Sequence, residues 1–177
     1  RALRLHQEGT VIDLHNHLTI LPEKMEDFEI YARSGRPATG FEGIKASGMT
    51  ACFYAFGGSS GRRSSPVPWQ LHDIIWDMGI RLADIDHHPD VVMRAFSSKD
   101  ILKAKKEGKT AIIPAIENGQ MIDNDLDRID MLYGLGIRCL GLSYNNRTTL
   151  ADGCTERTDA GLSSFGFKVV ERMNRIG

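Results

Sequence analysis

Thr110-Ala-Ile-Ile-Pro-Ala-Ile-Glu117 is a continuous apolar run that ends on a carboxylate. Such a run suits a strand of a parallel sheet, whose two faces are both covered. Pro114 weakens the reading locally, because proline donates nothing to a hydrogen-bonded ladder. Three further runs share the character. Thr10-Val-Ile-Asp-Leu-His15 follows Gly9, Met49-Thr-Ala-Cys-Phe-Tyr-Ala-Phe56 lies between Gly48 and Gly57-Gly58, and Ile137-Arg-Cys-Leu-Gly-Leu-Ser-Tyr144 follows Gly136. Helical periodicity fills the intervals. The alternation predicts an α/β fold around a parallel sheet.

Among the helices, Leu71, Ile74, Ile75, Met78, Leu82 and Ile85 form the strongest amphipathic stripe. Ser97 or Ser98 caps a helix running through Lys106 to a stop at Gly108. Asp123 or Asn124 caps one that carries Leu126, Ile129 and Leu132 and stops at Gly136. Val169, Val170, Met173 and Ile176 mark a last helix before Gly177. Leu21–Gly40 and Gly57–Pro68 read as loops, the second rich in Gly, Ser and Pro.

Composition narrows the function classes. The 177 residues fit a single domain, 1–177. With 41% hydrophobic and 25% charged residues the chain is globular in character. A net charge of -1 gives no broad footprint for nucleic acid or an anionic membrane, and no apolar stretch reaches the length of a spanning helix. Cys52, Cys139 and Cys154 are too few for a disulfide scaffold and read as mostly reduced. The chain begins at Arg1, which leaves open a cytoplasmic protein or one exported after loss of a leader.

Chemistry concentrates at strand ends. His15 and His17 are two residues apart, so a strand sends both to one face, where two imidazoles can meet one metal ion; the plain alternative is a pair of polar loop residues. Glu117 closes a buried strand at the end where α/β folds place their sites, unless it merely caps a helix or faces solvent. Asp13 either orients an imidazole or makes a structural hydrogen bond. Tyr144 ends the fourth strand and is either an oxyanion donor or a packed aromatic. Cys154 near Asp152 is no convincing metal pair, His87-His88 reads as a helix end, and Arg62-Arg63 as a solvated charge pair.

Four segments taken together resemble the renal (membrane) dipeptidase family, a branch of the amidohydrolase superfamily. They are VIDLHNHL at 11–18, KEGKTAIIPAIENGQ at 106–120, LYGLGIRCLGLSYNN at 132–146 and DAGLSSFGFKVVERMNRIG at 159–177. The segment Asp152-Gly-Cys-Thr-Glu-Arg157 is similar to one in bacterial members. The resemblance implies a (β/α)8 TIM barrel with a two-zinc site at its C-terminal face, of which this chain covers roughly the first four β/α units. It implies a dipeptide substrate, hydrolysed by a hydroxide between two metals that Glu117 bridges. The family's first strand ends in H-x-D; here His15 matches and His17 replaces the aspartate, as in the H-x-H of the wider superfamily. Tyr144 falls where the family has a substrate-contacting histidine. The family's remaining ligands have no counterpart up to Gly177, so the resemblance is to an N-terminal half. A homodimer is a further expectation. Two other readings stand beside it: an inactive half-barrel that associates with another chain, and a mononuclear amidohydrolase acting on other amides or lactones.

Overall fold

A computed structural model describes residues 2–17, 41–56 and 70–177. The two expected loops, and Arg62-Arg63 with them, lie outside the described residues. Five strands pair in parallel: β1 (Ile12–Asn16), β2 (Ala51–Phe56), β3 (Val92–Arg94), β4 (Thr110–Ile116) and β5 (Cys139–Leu140). Among the described residues, six α-helices accompany them: α1 (Ala2–Glu8), α2 (Phe41–Ser47), α3 (Leu71–His87), α4 (Ser98–Glu107), α5 (Asp127–Gly134) and α6 (Ser164–Ile176).

Strands β1, β2, β4 and β5 are the four expected ones and are neighbours in chain order. The additional strand is β3. It pairs with Thr110–Ile112, whereas β5 pairs with Ala115 and Ile116 farther along β4. Ala95 N donates to Ile112 O, and Arg138 N to Pro114 O, so both strands use the same edge of β4. Three residues are too few to show periodicity, which is why β3 was not legible. The same arrangement accommodates Pro114. Its nitrogen faces that edge in the interval between the two short strands, so no ladder bond is lost.

This detour decides which face each helix covers. From β2 the chain passes over β4 to reach β3, then returns to β4 in the opposite direction. Right-handed crossovers in opposite directions place their helices on opposite sides of the sheet. Cys52, Tyr54, Phe56, Ile112 and Ile116 accordingly pack with Ile74, Met78, Leu82 and Ile85 of α3, Ile129 and Leu132 of α5, and Val169 of α6. The alternate residues Ala51, Ala111 and Ile113 pack with Ala104 and Ile101 of α4. The result is a parallel half-barrel.

Three expectations need correction. The fourth strand shrinks from eight residues to Cys139–Leu140. Gly141 N still donates to Ile116 O, but beyond it the backbone turns to its own loop, with Tyr144 O accepting from Cys154 N. Next, α5 starts at Asp127 rather than after Asp123. Asn118 accepts from Gln120 N and opens a 3-10 turn, Gly119–Ile122, directly after β4, and Asp123 (φ 54°) breaks it. Finally, Ile75 leaves the α3 stripe and is exposed. The reading of α4 holds: Ser97 and Asp100 form a capping box, and Gly108 stops the helix at φ 67°.

Candidate metal centre

His15 lies in β1, and His17 directly follows that strand's last residue. Their Nε2 atoms lie 3.2 Å apart, with the rings edge to face at 89°. The strand that carries them is irregular. Asp13 pairs with Cys52 and Asn16 with Tyr54, so three steps along β1 oppose two along β2. The extra residue is a β-bulge, which bends a strand and re-aims its side chains.

Glu117 arrives from β4. Along that strand it alternates with Ile113 and Ala115, on the face opposite Ile116, and its side chain is only 15% exposed. Its Oε1 is 3.2 Å from His15 Nε2 and its Oε2 3.7 Å from His17 Nε2. The ligand atoms of these three residues all lie within 4.8 Å of one another. Neither the helix-capping nor the solvent-facing alternative for Glu117 describes this placement.

The donor set fits a divalent ion. Two nitrogens at about 2.0–2.1 Å from one tetrahedral ion stand about 3.3 Å apart, close to the 3.2 Å between the imidazoles. His17 Nδ1 lies 3.3 Å from the carbonyl oxygen of Ala55, which can only accept, so Nδ1 carries a proton. In the neutral ring that leaves the Nε2 lone pair facing His15 and Glu117. Protonated on both nitrogens, His17 instead donates to Glu117 as well. That hydrogen bond, opposed by partial burial and assisted by the charges of His17 and His15, holds the Glu117 carboxyl below the usual range. A carboxyl held low in this way is ionised and available as a ligand.

The other sequence candidates fall elsewhere. Asp13 touches no imidazole: its Oδ1 accepts from His15 N at 3.1 Å and its Oδ2 from Asn16 Nδ2 at 2.7 Å. Tyr144 is 39% exposed and lies past the end of β5. Asp152 pairs with Arg147 and accepts from Ala160 N, while Cys154 Sγ contacts Asn145 Oδ1, consistent with a loop rather than a metal pair. His87 ends α3, and His88 Nδ1 lies 2.9 Å from Asp84 O, as a helix end should.

Two contributors were missed. The Ala55 carbonyl leaves no mark in a sequence, since any residue supplies one. Gly141 does: a glycine inside a strand-like run signals close backbone approach, and a Cβ there would stand 2.1 Å from the Glu117 carbonyl oxygen.

The family model of membrane dipeptidases, peptidase family M19, matches residues 1–177. The chain belongs to this family. Dipeptidase 3 of Mus musculus is 37% identical over 195 residues, spanning 100% of this chain and 36% of its own length. Dipeptidase 3 of Rattus norvegicus is 28% identical over the same span, with 37% of its own length covered. The chain thus spans little more than a third of the length of these relatives. Among solved structures, an amidohydrolase from Pseudomonas aeruginosa superposes with a TM-score of 0.75 at 26% identity, covering 99% of this chain and 46% of that one. As a member of a metallopeptidase family, the chain is expected around a divalent metal, and the His-His-Glu cluster is its candidate holder. Among the described residues, no helix is long and apolar enough to cross a membrane.

Proposed function

We propose that His15, His17 and Glu117 hold zinc in the N-terminal half of a metal-dependent dipeptidase site. The observation that carries this reading is the convergence of two imidazole nitrogens and a carboxylate within 4.8 Å at the carboxyl ends of β1 and β4. Membership of the membrane dipeptidase family supports a dipeptide as the substrate. A divalent metal bound there supplies Lewis acidity and lowers the pKa of water to near neutrality.

The chain's own residues prepare the site for that chemistry. Ala55 O fixes the tautomer of His17, so the ring presents a lone pair and not a proton. The ionised Glu117 places one oxygen toward each histidine, within reach of an ion that the two imidazoles would hold. Its partial burial raises the strength of every charge interaction at the site relative to water. Tyr144, half-exposed beyond β5, offers a phenolic O–H that can donate to the oxygen of a scissile carbonyl.

Elemental mass spectrometry on the purified protein tests the reading, with dipeptide hydrolysis as the second assay. Wild-type protein is expected to carry zinc, and Glu117→Gln and His15→Ala to lose most of it. Folded wild-type protein that takes up no divalent metal overturns the proposal. Metal uptake with no cleavage of any dipeptide would leave the centre standing and favour the reading of an inactive half-barrel.

A further inference from the structure

We propose that Asp13 is a positioning residue, which sets the bulge on which His15 and His17 converge. The role rests on the metal reading above, and no contact between Asp13 and either imidazole is involved. A bulge removes one residue from the ladder and leaves its backbone groups to find other partners. His15 has no register partner on β2, and Asp13 Oδ1 accepts from its N–H at 3.1 Å. The second oxygen, Oδ2, accepts from Asn16 Nδ2 at 2.7 Å and ties the residue beyond the bulge back to the one before it. Both carboxylate oxygens are therefore committed to the chain on which the ligands ride.

Among the described residues, little packs against the middle of the bulge. Leu14, the residue between Asp13 and His15, is 73% exposed. On its far side the strand resumes pairing only at Asn16. Between those points the backbone is tied down by the hydrogen bond from His15 N to Asp13 Oδ1. The bulge sets where along β1 the two imidazoles are presented, and with it the 3.2 Å between their Nε2 atoms. The clamp also requires a specific chemistry. It needs two acceptors, which a carboxylate has and an amide lacks. In Asp13→Asn one of the two bonds has to go. Exchanging the pair, D13N with N16D, restores both: the amide oxygen now at position 13 accepts from His15 N, while the amide NH2 donates to the new carboxylate at position 16.

Cobalt titration of the metal-free protein, followed by visible absorption, tests this together with amide hydrogen exchange at His15. D13A is expected to weaken cobalt binding about 10–100-fold, the usual effect of removing a group that orients a ligand, to change the band shape, and to speed exchange of the His15 amide. D13N is expected to fall between D13A and wild type, and D13N/N16D to return toward wild type. Cobalt affinity, spectrum and His15 exchange unchanged in D13A would overturn the proposal. If D13A fails to fold, the comparison of D13N with D13N/N16D decides, and equal cobalt affinities there overturn it. Wild-type protein that takes up no cobalt overturns the metal reading itself, and the role of Asp13 with it.

Discussion

Gly141, just past β5, lies so near the end of β4 that a Cβ on it would stand 2.1 Å from the carbonyl oxygen of Glu117 and 2.8 Å from its carbonyl carbon. No L side chain fits that gap. The atoms it would strike are backbone, so they cannot rotate aside as a side-chain tip could. Gly141→Ala therefore has to separate β5 from the residue that carries the candidate metal carboxylate. The expected cost is about 1–3 kcal/mol, typical of overpacking, together with weaker metal uptake. Calorimetry and elemental analysis of the variant check both. Wild-type metal content and stability would mean that the two strands part without consequence for Glu117.

Asp77 and Arg81 form an ion pair on α3 with 2.8 Å between Nε and Oδ1, and both side chains are almost wholly buried. Arg81 also donates to the hydroxyl of Tyr54 on β2. A buried pair adds little over an apolar one, but removal of a single partner strands a charge at about 3–5 kcal/mol. Asp77→Ala is expected to lower the melting temperature by on the order of 10 °C. The double variant D77A/R81M should recover much of that loss. A single variant that melts with wild type would show that Arg81 is neutralised by other groups.

How much of this was legible in the sequence depended on the length and repetition of each signal. β4 and α3 were readable because seven to seventeen residues repeat one pattern, and a capping serine and Gly108 mark the two ends of α4. β3 was not, because three residues carry no period. The contraction of β5 was hidden by Leu142 and Tyr144, which continue the apolar run while the backbone bonds to its own loop. At the site, His15, His17 and Glu117 were identified as types at strand ends, but the bulge was not. It arises from the register between β1 and β2, which a single strand's sequence does not contain.

The capping box of α4 gives a pH dependence whose sign is fixed. The N–H groups of Phe96 and Ser97 and the hydroxyl of Ser97 all donate to Asp100 Oδ2, and these bonds, that of Phe96 foremost, hold its carboxyl below the ordinary value of 3.8. A carboxyl with a depressed pKa in the folded state contributes stability above its unfolded pKa and loses it as pH falls through the folded one. Asp100→Ala is thus expected to cost about 1 kcal/mol near neutrality, as lost caps do. The difference from wild type should shrink as pH drops below 3.8. Urea titrations of both proteins at neutral pH and in acid measure it. A gap that persists at low pH would assign the effect to packing.

Cys52, Cys139 and Cys154 are free thiols in three different surroundings. Cys52 lies in the middle of the β1–β2 pairing, wholly buried, and burial, with the charge of Asp13 adding to it, pushes its thiol up to about 12. The thiolate is the reactive form, so in mildly alkaline buffer Cys52 has almost none and no path for a reagent. Cys139 is exposed, but partial burial of its sulfur also raises its thiol. Cys154 is exposed on the loop that follows Tyr144. Brief iodoacetamide labelling of native protein, read by peptide mass spectrometry, is expected to modify Cys154 first, Cys139 more slowly and Cys52 only after denaturation. Because Cys52 pairs with Asp13 in the register that creates the bulge, its rate also reports on the site. A Cys52 that labels as fast as Cys154 would mean that β1 leaves β2 in solution, and that His15 and His17 leave Glu117 with it.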